Sequence, residues 1–250
     1  FEKKNEALSR KIEGGVLVAS VFLYACVSVL QNNDIYFVVA MSALTVMAVI
    51  YCIRYAGIVH INMSKKSYII IMAVSGGLYI LFVSFCMVTR YLSYGSPNFD
   101  MGLFSQMFYY MKHTFTMKTT CERDMLMSHM KVHISPAWFL ILPFYAIFES
   151  PVTIQVMQAV ILAIPVILLA KICSNHNFSK KVTILICAAY LFFPVISSGC
   201  GYDAHENMFL PLALFMLILA FETDKKWLLV LSVIFTLGIK EDAAVYVIFV

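Results

Sequence analysis

The chain has 250 residues, of which 62% are hydrophobic and 13% charged, with a formal charge of +4 at pH 7 and a mean hydropathy of +0.86. Soluble domains carry roughly a quarter charged residues, and several apolar runs here approach or exceed the ~20 residues that cross a bilayer. This composition excludes an ordinary soluble domain and implies a polytopic membrane protein, and no basic block with interleaved aromatics points to nucleic acid.

Residues Phe1 to Glu13 are polar and include Lys3, Lys4, Arg10 and Lys11. A first span is predicted from Gly15 to Leu30, too weakly followed by a cleavage pattern to be a signal peptide. A turn at Gln31–Asp34 leads to a second span, Ile35–Ile53. The polar connection Arg54–Ser67 precedes a third span, Tyr68–Thr89, whose Ser75-Gly76-Gly77 either permits close helix packing or is a tolerated glycine pair. These boundaries divide the chain into residues 1–67, with two N-terminal spans and a loop, and a core from 68 to 250.

The core opens with a large polar segment, Arg90–Pro151. Phe99–Phe115 is rich in Phe, Tyr and Met but broken by Gln106, Lys112 and His113, the pattern of an amphipathic helix at the membrane interface. Met117–Val132 is polar. Ala137–Phe148 is apolar, but its length of about 12 residues reaches only about 18 Å, short of the roughly 30 Å hydrocarbon layer. Further spans are predicted at Val152–Ile172, Val182–Ser197, Asn207–Phe221 and Trp227–Ile239, and a last apolar run starts at Ala243 after Lys240-Glu241-Asp242. With no initiator Met and an end at Val250 inside that run, the chain is expected to be a fragment of a longer protein.

Charge sets the orientation. If Ala137–Phe148 dips in without crossing, Lys3, Lys4, Arg10, Lys11, Arg54, Lys65, Lys66, Lys171, Lys180, Lys181, Lys225 and Lys226 share one side. Arg90, Lys112, Lys118, Arg123, Lys131 and Lys240 remain on the other. The positive-inside rule makes the first side cytoplasmic. The expected fold is therefore an all-α, multi-pass helical bundle with a cytoplasmic N-terminus and a re-entrant or juxtamembrane piece in the outer loop 90–151. Asp100, His129, His133, Asp203, His205, Glu206, Lys240, Glu241 and Asp242 all fall at the outer face.

Each polar cluster has an ordinary alternative. Tyr202-Asp203-Ala204-His205-Glu206-Asn207 precedes a span, where unpaired N–H groups favour anions, or it is a solvated cap. Lys240-Glu241-Asp242 sits between apolar runs, where three charges must pair or line a wet cavity. His129 and His133 have the i, i+4 spacing of two metal ligands, without a protease-type Glu. The seven cysteines form no Cys-x-x-Cys pair, which argues against structural zinc; a disulfide between Cys121 and Cys200, both on the outer side, stays open.

Together these stretches resemble a family of membrane proteins known as domain of unknown function 2079. Phe99-Asp100-Met101-Gly102-Leu103-Phe104 is similar to its Phe-Asp-x-Gly-x-Phe motif, and His133-Ile134-Ser135-Pro136, followed by Pro143-Phe144-Tyr145, to its His-x-Ser-Pro motif and short apolar helix. Tyr202-Asp203-Ala204-His205-Glu206 resembles its Phe-Asp-x-His segment and Lys240-Glu241-Asp242 its Lys-Glu-Asp; the likeness runs from about Tyr94 to Val250. One departure is that the family's His-Pro-Glu is replaced by His205-Glu206-Asn207.

That family is in turn similar to the C-type (GT-C) glycosyltransferases. The resemblance implies a GT-C-like membrane core and transfer of a hexose or pentose from a polyprenyl-phosphate-linked donor to a glycan, lipid or protein acceptor, at the outer face of the plasma or inner membrane. It makes Asp100 the catalytic carboxylate. His133, His205, Lys240 and Gln106 become substrate- or phosphate-binding residues, and Asp203, Glu206, Glu241 and Asp242 candidate ligands of a divalent metal, Mg²⁺ or Mn²⁺. The alternative is a transporter or ion-coupled membrane protein that uses the Lys-Glu-Asp cluster as a relay.

Overall fold

A computed structural model of the chain describes residues 63–96, 98–193 and 203–249, with isolated helical positions at 12, 16, 19, 23, 36, 39, 43, 46, 47, 50 and 196. Apart from those positions, the spans expected at Gly15–Leu30 and Ile35–Ile53 lie outside the described residues. Among the described residues the protein is mostly helical, with almost no strand, as the all-α reading requires.

The first described helix, α1 (Lys65–Leu92), has 28 residues and a mean hydropathy of 2.3. At 1.5 Å per residue it is about 42 Å long, enough to cross a hydrocarbon layer of about 30 Å. Only 17% of its apolar window is buried inside the protein. Ile69, Ile70, Val74, Leu78, Leu81 and Phe85 face outward, a surface suited to lipid. Among the described residues, nothing lies within 4 Å of a Cβ built at Gly76 or Gly77, so close packing at that pair has no partner there. After Leu92 the chain turns at Tyr94 (φ 60°), with Gly95 N–H returning to Arg90 O at 2.8 Å. Arg90 Nε donates to Gly95 O at 3.1 Å, so this turn steers the guanidinium.

Helix α2 (Asn98–Thr114) forms where the aromatic-rich stretch predicts one. Met101, Leu103, Phe104, Met107, Phe108 and Met111 are all buried, so its apolar face packs against protein. A short antiparallel hairpin follows, β1 (Lys118–Thr119) with β2 (Met127–Ser128), and then a 3-10 turn at His129–Lys131.

The short apolar piece folds as a 3-10 turn, Pro136–Leu140, and the six-residue helix α3 (Leu142–Ile147). Neither is long enough to span a bilayer. Trp138, Ile141, Leu142 and Tyr145 are buried while Phe139, Leu140, Phe144, Ile147 and Phe148 are exposed. Trp138 explains the burial of α2, because its ring lies 4.6 Å from Phe104, 5.6 Å from Phe108 and 6.0 Å from Phe209 between centroids.

Ser150 caps the next helix by accepting from Val152 N–H, with Pro151 at its first position, where a missing N–H costs nothing. This stretch, Pro151–Asn175, is the second one long and apolar enough to cross, with 25 residues and a mean hydropathy of 2.4. It consists of α4 (Pro151–Ala163) and α5 (Pro165–Asn175). The break falls at Ile164, because Pro165 has no N–H and its ring crowds the preceding turn. Then come α6 (Lys180–Leu191), capped by Ser179, and the adjacent helices α7 (Leu210–Glu222) and α8 (Lys226–Leu237), which pack on each other. A 3-10 turn, Glu241–Ala243, leads into α9 (Ala244–Phe249). Residues 194, 195 and 197–202, which include the end of the span expected to Ser197, lie outside the described residues.

The chain divides into two compact units, Phe1–Phe82 with Cys173–Gly201, and Val83–Ile172 with Tyr202–Val250. In the first, Tyr79 meets Phe192 edge to face at 6.4 Å and Lys180 Nζ donates to Met63 O at 3.0 Å. The second unit holds every residue of the candidate site.

Candidate functional site

The Lys-Glu-Asp turn is where separate parts of the second unit meet. Helix α8 ends at Gly238, whose carbonyl accepts from Ala137 N–H at 2.9 Å. A Cβ on Gly238 would lie 3.3 Å from Ile234 O of its own helix and 3.4 Å from Pro136 Cγ, so the His-Ile-Ser-Pro loop packs directly on this helix end. That contact carries His133 to Glu241, 108 positions away in sequence, with Nδ1 2.8 Å from Oε1. Glu241 Oε2 also accepts from Ile134 N–H at 3.3 Å. The hydrogen bond from His133, helped by Glu241's own N–H, holds the Glu241 carboxyl below its ordinary pKa.

On the other side of the turn, Lys240 Nζ lies 3.6 Å from Glu206 Oε1 and His205 Nδ1 3.4 Å from Glu206 Oε2. Glu206 is 1% exposed and neither oxygen makes a true hydrogen bond among the described residues. His205 Nδ1 also accepts from Asn207 N–H at 3.5 Å, at the start of the 3-10 turn Glu206–Phe209. As that acceptor, Nδ1 offers no proton to Glu206.

A second buried carboxylate, Asp203, lies 3.8 Å from Arg90 Nη1. Its Oδ1 also accepts from Gln155 Nε2 at 3.2 Å, and the same nitrogen lies 3.1 Å from Met101 Sδ. Asp203 Oδ2 has no hydrogen-bond partner among the described residues. Met101 adjoins Asp100, which is half-buried in the first turn of α2, where the helix dipole favours a carboxylate. One turn further, Phe104 stands 5.9 Å from His129 and 6.4 Å from His205 between ring centroids. The Phe-Asp-x-Gly-x-Phe stretch thus packs its second Phe against His205 of another motif and against His129, one turn before the His-x-Ser-Pro motif.

Gln106 is placed differently from a simple ligand. Its Oε1 accepts from Thr119 Oγ1 at 3.1 Å, Thr120 N–H at 2.8 Å and Thr120 Oγ1 at 3.1 Å, so it ties the hairpin to α2. Gln106→Leu leaves those donors without their acceptor, at a cost of about 1–3 kcal/mol. Faster amide hydrogen exchange at residues 117–129, with α7 and α8 unchanged, is the expected result. Asp242 is exposed on its turn and takes no part in these pairs among the described residues.

The four carboxylates offered to a divalent ion are therefore distributed. Asp203 faces Arg90, Glu206 faces Lys240, Glu241 faces His133, and among the described residues no three His, Cys, Asp or Glu close on a common point. Cys121 is a free thiol, and Cys200 lies outside the described residues.

Sequence reasoning did not single out Arg90, Gln155 or Glu122. Gln155 had a signal, since a polar side chain within an apolar span must find a partner. Glu122 had none, being one charge among several in a polar loop; it pairs with His129 Nδ1, and both side chains are almost fully buried.

At the far edge, Glu149 accepts from Lys112 and from His113 Nε2, the latter at 3.1 Å. The bond from Lys112, then that from His113, lowers the Glu149 pKa. A lowered carboxylate adds stability above its unfolded pKa, about 4.3, and loses it as pH falls through the folded value. Glu149→Gln is expected to flatten that low-pH limb in thermal unfolding. The effect is small and salt-sensitive because the pair is solvated.

A family model described as predicted membrane protein (DUF2079) matches residues 90–250. No curated protein and no solved structure matches the chain. The match begins at the arginine that faces Asp203 and takes in all the pairs described above. With well over half of its length in that match, the chain belongs to the DUF2079 family of predicted membrane proteins.

Proposed function

We propose that this chain is a multi-pass GT-C-type glycosyltransferase, with a cytoplasmic N-terminus, taking a sugar from a polyprenyl-phosphate donor at the outer face of the plasma or inner membrane. The observation that carries the reading is the closure of three motifs on one turn, through His133–Glu241 and Lys240–Glu206. A polar, charge-paired cluster beside helices able to cross a bilayer suits a donor whose phosphate lies at the lipid surface. Outside the cytoplasm no nucleotide sugar is at hand, so the activated sugar arrives on a lipid.

In this mechanism the acceptor hydroxyl oxygen attacks the anomeric carbon, its proton passes to Asp100, and the bond from that carbon to the phosphate oxygen breaks. Polyprenyl phosphate leaves with the bonding electrons. Lys240 exchanges Glu206 for this phosphate, and His205 donates to it, while His133, its Nδ1 on Glu241, holds the turn that carries Lys240. Gln106, whose carbonyl is taken by the hairpin, contributes its amide N–H groups. Mg²⁺ or Mn²⁺ at Asp203, Glu206, Glu241 or Asp242 would require the first three to leave their basic partners. The residues as arranged do not make an oxygen cage, and no step is routed through a metal.

The test is transfer of radiolabelled sugar from polyprenyl-phosphate donors by the purified protein in proteoliposomes, with extracted membrane lipids and glycans as acceptors. Label in a new product supports the reading. No transfer from any donor, combined with ion or proton flux across the same vesicles, favours the relay reading of Lys240-Glu241-Asp242.

A further inference from the structure

His129 and His133 share a feature that the transfer scheme does not use. His129 Nδ1 rests on Glu122 Oε1, and the two side chains are 2% and 6% exposed. A carboxylate only accepts, so Nδ1 carries the proton and Nε2 presents a lone pair. That Nε2 is buried and makes no hydrogen bond among the described residues, leaving a desolvated acceptor without compensation. His133 repeats the pattern, with Nδ1 2.8 Å from Glu241 Oε1 and that carboxylate fixed by Ile134 N–H. The rings sit on one backbone turn, closed by His133 N–H to His129 O at 2.9 Å.

We propose that His129 and His133 bind a borderline divalent transition metal, of which Zn²⁺ is the probe, through their Nε2 atoms. The ring centroids are 5.7 Å apart at an interplanar angle of 63°. Two imidazoles on one tetrahedral ion, with metal–nitrogen bonds of about 2.0–2.1 Å, have centroids about 5–6 Å apart. A carboxylate on the far nitrogen is the usual support of a metal-bound histidine, fixing its tautomer and raising its basicity; here both rings have one. Glu122 and Glu241 also supply two negative charges to offset the ion's two positive ones. His133, with its side chain 34% exposed, gives the ion a way in. Water or a substrate oxygen completes the coordination. Catalytic zinc sites usually have three protein ligands, so an ion held by two exchanges readily and is measured by titration.

This site shares His133 and Glu241 with the motif closure described above, but its test needs no transferase activity. The purified protein in detergent, stripped with a chelator, is titrated calorimetrically with Zn²⁺ and, by visible absorption, with Co²⁺. One saturable equivalent with the bands of tetrahedral Co²⁺ is expected, and Mg²⁺ does not compete. His133→Ala removes the binding, and Glu122→Gln or Glu241→Gln weakens it 10- to 100-fold. His133 is half-exposed, so its variant keeps the test decisive even where the buried His129→Ala fails to fold. No saturable Zn²⁺ binding by the wild type, or equal binding by His133→Ala, overturns the proposal.

Discussion

Asp100→Asn is expected to slow sugar transfer by about 10²- to 10⁴-fold, the range that a positioned general base contributes. Asparagine keeps the size and a hydrogen-bonding side chain but takes up no proton. The carboxylate sits half-buried in the first turn of α2, beside the Met101 that touches Gln155, so the substitution leaves the apolar packing of the helix intact. The loss is expected in kcat rather than in KM for the donor, because the proton moves only as the new bond forms. Unfolding in detergent serves as the folding control, with at most a small decrease from losing a favourable charge at the helix start. Full transfer by a folded Asp100→Asn protein would remove Asp100 from the catalytic role.

Lys240→Ala is expected to destabilise the second unit by about 3–5 kcal/mol, the usual consequence of removing one partner of a buried ion pair. Glu206 is 1% exposed and its oxygens make no true hydrogen bond among the described residues, so Lys240, at 3.6 Å, is its main source of positive charge. His205 Nδ1, at 3.4 Å, is occupied as the acceptor of Asn207 N–H. Adding Glu206→Gln to Lys240→Ala removes the stranded charge and is expected to recover much of the loss. The single variant Glu206→Gln should cost less than Lys240→Ala, since a lysine at the edge of the cluster can turn to water. Equal losses in both single variants and no recovery in the double would show that packing, not charge, holds this turn. Thermal unfolding of the three variants in one detergent gives the comparison.

Much of this architecture could be read locally. Hydropathy is a sum over neighbouring residues, so Tyr68–Thr89 and Val152–Ile172 announced the two long apolar helices found among the described residues, while length and charge together argued against a crossing by Ala137–Phe148. Ser150-Pro151 set a helix start through cap chemistry that needs no tertiary partner. The four short motifs likewise marked the chain as a relative of domain of unknown function 2079. The amphipathic pattern of Phe99–Phe115 correctly implied a helix. Periodicity could not say what would cover its apolar face; a membrane surface and Trp138 leave the same trace in sequence.

The pairings were decided only in three dimensions. His133 reaches Glu241 across 108 positions and Gln155 reaches Asp203 across 48. Gln106 faces a hairpin whose strands give no hydrophobic alternation to predict them. A charge pattern tells which side chains need partners, because a buried ion without one is costly. It does not tell which of several candidates comes close, since that depends on where the Pro136 loop meets the end of α8 and on how the turn at Tyr94 holds the Arg90 guanidinium through Gly95 O. Composition and apolar length thus determined that this is a helical membrane protein. The tertiary contacts alone determined that Asp203, Glu206 and Glu241 face Arg90, Lys240 and His133, because partner choice follows from chain path rather than from sequence neighbourhood.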